Sequence, residues 1–381
     1  MIKASDFVRY LPDSAQHFSR GESIWRRIHI DPFVFLVLLT ITLLGLFVLY
    51  SGSGQSASMM KRQVIFFVLA YISMLFFAQI NMKFLCRMAP WMYGFGIILL
   101  LLVLFIGVGA KGAQRWISLG FFRFQPSEVL KLAVPIMIAA YFSSRDLPPR
   151  FKHIIVCLLL VGLPAVLIFK QPDLGTAILI AASGLIVLFL SGLRWRYMLG
   201  SVLLILMSVW PMWQFVMKDY QKQRVLTLLN PEADPFGAGW NIIQSKTAIG
   251  SGGLHGKGWL QGTQSQLDFL PESHTDFIVA VLAEEFGLVG MVILFGLYSV
   301  LIGRCLFISW NAQNNFGRLL SGGITLTFFI YILVNVGMVS GVLPVVGVPL
   351  PLVSLGGTSI VTLMSGFGII MAIATEKNVA T

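Results

Sequence analysis

Residues 249–285, IGSGGLHGKGWLQGTQSQLDFLPESHTDFIVAVLAEE, concentrate the residue types that do chemistry. Six glycines fall between Gly250 and Gly262. Polar residues follow, and then Pro271, Glu272, His274, Thr275 and Asp276 run straight into an apolar segment. A carboxylate at the mouth of such a segment can accept a proton from a hydroxyl. Two other acids stand at comparable places, Glu128 in QPSE and Asp173 in QPD, each close behind a Gln-Pro pair. Read singly, each is a helix cap that complements the N-terminal partial charge, and proline suits a first helical turn. Read together, beside long polar stretches, the three suggest one shared cavity, although spacing does not show that they converge. Lys131 follows Glu128 by three residues on the same helical face. It is either that acid's local partner or a cation aimed at an anionic substrate or at Asp276. Arg115, beside Trp116, and Arg224 are further cations on the same side. Gln244, Ser245, His274 and Thr275 complete the candidate substrate-binding set.

Glu284 and Glu285 follow Asp276 by eight and nine residues. On a continuous helix they stand roughly 80° and 180° away from it, so Glu285 does not share its face. Intramembrane acids are functional candidates, but an inter-helix hydrogen bond accounts for them equally well. The glycine-rich piece is not a phosphate loop of the Walker type, because no Ser or Thr follows Lys257 and no strand precedes it. Its glycines permit tight turns or close approach of backbone to a ligand.

The elements that must position these residues are membrane helices. Of 381 residues, 57% are hydrophobic and 11% charged, where a soluble domain is about a quarter charged, and the mean hydropathy is +0.84. Apolar runs long enough to span the ~30 Å hydrocarbon core recur along the chain. They predict an all-α polytopic membrane protein of ten spans: Pro32–Tyr50, Gln63–Ile80, Pro90–Val108, Val129–Tyr141, Ile154–Phe169, Thr176–Leu190, Met198–Val216, Asp276–Leu301, Leu319–Val339 and Ile360–Ala374. Residues 1–31 and 376–381 are expected as tails. Met217–Thr275 is expected as a large external loop between spans seven and eight. With the N-terminus inside, 15 of the 27 Lys and Arg fall on cytoplasmic segments, the bias that sets orientation. Both termini are then cytoplasmic, and the glycine-rich loop and Asp276 external. The last external link, GVLPVVGVPLPLVSLGGTS, has irregular backbone that is tolerated at membrane depth only within protein or along a cavity.

The net charge of +11 sits between spans. It points to anionic lipid headgroups or a lipid-linked anion rather than to nucleic acid. Cys86, Cys157 and Cys305 show neither disulfide nor zinc spacing. Residues 1–30 are polar and basic, without the pattern of a secretory signal.

Three passages, GAKGAQRWISLGFFRFQPSEVLKLAVP, GSGGLHGKGWLQGTQSQLDFLPESHTDFIVAVLAEEFG and NVGMVSGVLPVVGVPLPLVSLGGTS, resemble the SEDS family of cell-wall polymerases. The resemblance covers nearly all the chain after Asp31 and is closer to the elongation (RodA) type than to the division (FtsW) type. Ser273 and Leu355 depart from the Arg and Tyr of many members. The resemblance implies a ten-span peptidoglycan glycosyltransferase in the bacterial cytoplasmic membrane, polymerising lipid II onto a nascent lipid-linked glycan strand. It puts the essential acid on Asp276, the membrane lysine on Lys131 and the Arg-Trp pair on Arg115 and Trp116. It further implies a divalent cation (Mg2+ or Mn2+), a class B penicillin-binding protein as partner, and membership of the rod-shape elongation complex. On this reading Asp276 is the general base, and Lys131, Arg115 and Arg224 hold the pyrophosphate leaving group. The competing class is a lipid II flippase or other carrier, for which Glu284, Glu285 and Lys131 would line the path.

Overall fold

The computed structural model describes residue 25 and residues 28–110, 113–118, 123–217, 219–233, 238–267, 269–270 and 272–376. Pro271, the prolyl residue of the Asp276 stretch, lies outside them.

All ten apolar stretches fold as helices, because in an apolar setting the helix alone satisfies every backbone group within one segment. In chain order α1 is Pro32–Gly52, α2 Ala57–Ala78, α3 Met82–Ile106, α4 Pro126–Ser143, α5 Phe151–Lys170, α6 Leu174–Leu190 and α7 Trp195–Pro211, which continues as a π turn over Met212–Val216. Next come α8 (Asp219–Leu229), α9 (Ala238–Gly252), α10 (Thr263–Gln266), α11 (Ile278–Trp310), α12 (Asn315–Val339) and α13 (Gly357–Thr375). Among the described residues, eight helices are long and apolar enough to cross a membrane. The apolar α6 and α7 have 17 residues each. The chain is a multi-pass membrane protein.

Caps mark where the spans begin. Asp31 accepts from the N–H groups of Phe33 and Val34 at 3.1 Å ahead of Pro32, and Asn81 caps α3 through Lys83 N–H at 2.8 Å. Asp173 caps α6 by accepting from Thr176 N–H at 3.2 Å. Pro126 is the first residue of α4, as its position predicts, but Pro172 lies outside α6, one residue ahead of the cap.

Two stretches carry more structure than the pattern predicts. Met217–Thr275 is no plain loop: α8, α9 and α10 form within it, and α9 packs against α11. The polar stretch after α3 forms three short antiparallel strands, β1 (Val108–Ala110), β2 (Ala113–Ser118) and β3 (Arg123–Phe124). Their backbone groups pair with one another where no helix satisfies them.

Helices α4, α12 and α13 are the most enclosed, with α12 packed against α4, α6 and α11. Helices α2, α3 and α5 turn large apolar side chains outward, among them Phe76, Phe105 and Leu159, as lipid-facing helices do. Where backbones meet closely the residue is glycine. A Cβ at Gly45 of α1 would lie 2.7 Å from the Leu352 carbonyl, and one at Gly175 of α6 would lie 2.8 Å from that of Val346. The link after α12 therefore runs against two helices, with Val348, Leu350, Leu352 and Val353 buried.

Candidate active site

Asp276 sits in a turn rather than on a helix. Residues 272–277 are turns and α11 begins only at Ile278, so helical angles measured from Asp276 do not apply. Glu272, at φ 58°, organises this turn. Its carbonyl accepts from Thr275 N–H at 3.0 Å and Phe277 N–H at 3.3 Å, and its carboxylate accepts from Thr275 Oγ1 at 2.8 Å. Three groups then fix the turn from outside. Asn335 of α12, fully buried, donates to the Asp276 carbonyl at 2.9 Å and to the Val348 carbonyl at 2.6 Å. Ser354 Oγ donates to the Thr275 carbonyl at 2.5 Å, and Leu355 N–H to the His274 carbonyl at 2.9 Å. At Leu355 the chain uses backbone, so its unusual side chain leaves that tie intact. Ser273, the other departure, donates to the Gly52 carbonyl at 2.8 Å.

The Asp276 side chain opens into a cavity of about 330 Å³ shared with Arg115, Asp173, Gln221, Arg224 and the Pro344–Gly347 segment. An ideal Cβ at Gly347 would lie 3.5 Å from Asp276 Oδ2. Two of the three acids thus converge, brought together by the β2 strand, the α6 cap, α8 and the links flanking α11 and α12. Arg115 Nε lies 3.6 Å from Asp173 Oδ2, and Arg115 Nη2 donates to the Pro172 carbonyl at 2.5 Å. Gln125 donates to the same Asp173 oxygen at 3.4 Å. Asp173 is thereby engaged as a cap and an ion-pair partner, and Arg224 is exposed on α8.

The third acid does not join them. Glu128 and Lys131 pair locally at 2.6 Å, both largely buried, and Lys131 Nζ lies 5.3 Å from the Tyr331 ring centre. Lys131 lines separate small spaces with Tyr331 and Leu363, not the Asp276 cavity. A buried ammonium takes the nearest carboxylate because leaving it unpaired at that depth is costly. The remaining candidates also stand apart. Trp116 is half-buried on the strand position next to Arg115, where side chains alternate in direction. Ser245 is fully buried and donates to the Ile242 and Val339 carbonyls at 3.0 and 2.8 Å. Gln244 is half-buried on α9, and His274 and Thr275 serve the turn. Gln221 and Asn335 were not among the sequence candidates. A lone Asn inside an apolar helix was a readable signal, whereas Gln221 had none.

Glu284 and Glu285 lie at a break in α11. Gly287 adopts φ 62°, ψ −156°, a region open in practice to glycine alone. The glycine-rich loop fills the break. Lys257 and Gly258 donate their N–H groups to the Glu284 and Glu285 carbonyls at 3.0 Å each. The Gly253 and Leu254 carbonyls accept from Leu288 and Val289 N–H at 3.0 and 3.1 Å. A Cβ at Gly252 or Gly256 would collide with the backbone of Ala283 or Glu285. The glycines therefore admit another helix's backbone rather than a ligand. The Glu284 carboxylate accepts from Lys257 Nζ at 2.7 Å, Gln264 N–H at 3.0 Å and Thr263 Oγ1 at 3.1 Å. Ser51 donates to Glu285. These acids hold the loop and α1 against the break.

Among the described residues no three His, Cys, Asp or Glu side chains gather as a metal-binding set. The two carboxylates lining the cavity match the one or two that Mg2+ takes from protein when phosphate oxygens and water supply the rest.

The chain matches the family FtsW/RodA/SpoVE, described as cell cycle protein, over residues 31–379. It is 52% identical over 356 residues to the peptidoglycan glycosyltransferase MrdB of Escherichia coli K12, covering 93% of this chain and 96% of that one. It is 37% identical over 367 residues to a probable peptidoglycan glycosyltransferase FtsW of Trichlorobacter lovleyi, covering 92% and 94%. Among solved structures, a chain reported under the structural coordination of polymerization and crosslinking by a peptidoglycan synthase complex superposes with TM-score 0.80 at 30% identity, covering 90% of this chain and 97% of that one. The rod shape determining protein RodA of Thermus thermophilus superposes with TM-score 0.68 at 28% identity, covering 90% and 96%.

Proposed function

The chain belongs to the FtsW/RodA/SpoVE family, and from that premise we propose that the Asp276 cavity polymerises lipid II into glycan strands during cell elongation. The chain is a peptidoglycan glycosyltransferase, in keeping with the curated activity of relatives that match it end to end. The observation that carries the site is the cavity in which Asp276 faces Arg115 and Arg224.

The chemistry needs one base and a cationic cradle. Asp276 takes the proton of an acceptor sugar hydroxyl as that oxygen attacks the anomeric carbon of the donor. The C–O bond to the lipid pyrophosphate breaks, and the leaving group departs with the electron pair. Pyrophosphate leaves readily, so no second carboxylic acid is needed, but its charge must be held. Arg115 and Arg224 supply two cations for it. Attack opposite the leaving group inverts the anomeric centre. Asp173 and Asp276 are the residues that would hold a Mg2+ or Mn2+ ion, whose charge would supply further neutralisation of the leaving group. Lys131 stands outside the cavity lining, paired with Glu128 of its own helix and set over the Tyr331 ring of α12. Glycan strands must be crosslinked, which fits a class B penicillin-binding protein as partner within an elongation complex. The orientation that the basic residues favour puts this cavity on the outer face of the bacterial inner membrane.

The test is glycan synthesis from purified lipid II with the penicillin-binding partner and a divalent cation present. Wild type is expected to make long strands, and Asp276→Ala, folded alike, none. Strands from both would remove Asp276 as the base. Strands from neither, with lipid II still crossing a reconstituted bilayer, would favour a carrier.

A further inference from the structure

Helices α6, α11 and α12 run from the Asp276 cavity to a second opening at their far ends. There the chain leaves α6 at Leu190 and α11 at Trp310, and re-enters α12 at Asn315. A cavity of about 490 Å³ lies between these three ends, with Leu190, Leu306 and Leu319 as apolar walls and Ser191, Asn315 and Arg318 as polar neighbours. Helix packing shapes it. A Cβ on Gly322 would lie 2.8 Å from Leu190 Cδ1 and 2.9 Å from Ser309 Oγ, so α12 touches both neighbours just below the opening. Ser309 Oγ donates to the Arg318 carbonyl at 2.8 Å and fixes the first turn of α12.

The charge around this opening is mainly basic. Arg318 is exposed, and its described side-chain partner is the Trp310 ring, 5.7 Å from the guanidinium carbon. The helix starts and links that frame this end carry Lys83, Arg150, Lys152, Arg194 and Arg196. Of the acids here, Asp31 is held by Arg304 at 2.7 Å, Glu376 accepts from Asn314 at 3.1 Å, and Asp146 is exposed next to the lining residue Leu147. An Arg beside a Trp at the end of apolar helices is the composition of a membrane interface. A cation above a groove of leucines complements a molecule with an anionic head and an apolar tail.

We propose that this opening binds an anionic phospholipid of the adjacent leaflet, its phosphate on Arg318 and Asn315 and an acyl chain against Leu190, Leu306 and Leu319. Basic pockets between transmembrane helices take such headgroups, and the charge-assisted hydrogen bond to phosphate is what Arg318 adds over a general surface potential. The site is separate from the glycosyltransferase chemistry and stands whether or not that reading holds.

The experiment is native mass spectrometry of the full chain in detergent, titrated with phosphatidylglycerol or phosphatidylcholine. Wild type is expected to retain phosphatidylglycerol as a discrete adduct and to hold phosphatidylcholine far less. Arg318→Gln is expected to weaken retention about tenfold. Arg196→Gln, a cation of the same end outside the cavity, should change it less than about twofold. Both substitutions fall on exposed side chains, and a thermal melt checks that each variant folds. Equal losses in the two variants, or equal retention of the two lipids, would overturn the site. Displacement of the lipid by glycerol 3-phosphate would show that the groove takes a free anion and not a lipid.

Discussion

Asp276 and the Glu284–Glu285 pair stand at the two ends of one short helical segment, and they have opposite surroundings. Asp276 is half-buried in a turn whose backbone is tied down by Asn335, Ser354 and Leu355, while its carboxylate opens into a cavity with two arginines. Glu284 is wholly buried, and Lys257, Thr263 and Gln264 donate to it. A carboxylate whose backbone is fixed and whose side chain faces solvent space is available for proton transfer. One that takes an ammonium, a hydroxyl and a backbone N–H of its own fold on a single oxygen, as Glu284 does on Oε1, is committed to stability. Residue type does not tell these apart; the surroundings do, a cavity lined by two arginines for one and a lysine, a hydroxyl and a backbone N–H for the other.

The comparison breaks most visibly at Asp276. Asp276→Asn keeps shape and removes the base, so polymerisation of lipid II is expected to fall about 1000-fold with the melting temperature unchanged. A variant that loses stability as well would make Asp276 another structural acid. Next is the break in α11. Gly287→Ala forces a Cβ into a backbone region closed to it and against Leu254, for a loss of about 3 kcal/mol, read as a lowered unfolding midpoint in detergent. An unchanged midpoint would mean that the loop is not seated on the break.

Smaller effects sharpen the contrast. Lys257→Met leaves the Glu284 carboxylate buried without its cation and is expected to cost about 2 kcal/mol. Combining it with Glu284→Gln should recover part of that, which a double-mutant cycle measures. In neither variant should activity fall more than stability explains. Arg224→Gln is the mildest. It removes one of the two cations offered to the leaving pyrophosphate, and an exposed one, so kcat with lipid II is expected to fall about threefold with KM nearly kept. A change confined to KM would instead make Arg224 a binding cation that does not act on the transition state.

Much of this was readable from the chain. Ten apolar runs became ten helices because hydropathy and the need to satisfy backbone groups act locally. The acids Asp173 and Asp276 and the cations Arg115 and Arg224 were all candidates before any coordinates. The glycine-rich loop was visible as a motif but not as the filling of a helix break, since its partner backbone lies around thirty residues away in sequence. Lys131 was legible only as a choice between a local pair and a substrate cation.

By itself, then, the sequence determined the membrane-spanning class, the ends where polar residues gather, and the short list of groups able to move a proton or hold a phosphate. Only the tertiary structure decided which of them meet. Asp276 and Arg224, Asp173, and Arg115 come from three separate connections between spans, and Glu128 with Lys131 stays outside their cavity. The reason is physical. Periodicity and hydropathy act within one segment, whereas convergence depends on how α6, α11 and α12 pack, where Gly175 lets backbone approach, where Gly347 turns at φ 75° beside the Asp276 carboxylate, and which donors reach each carboxylate first.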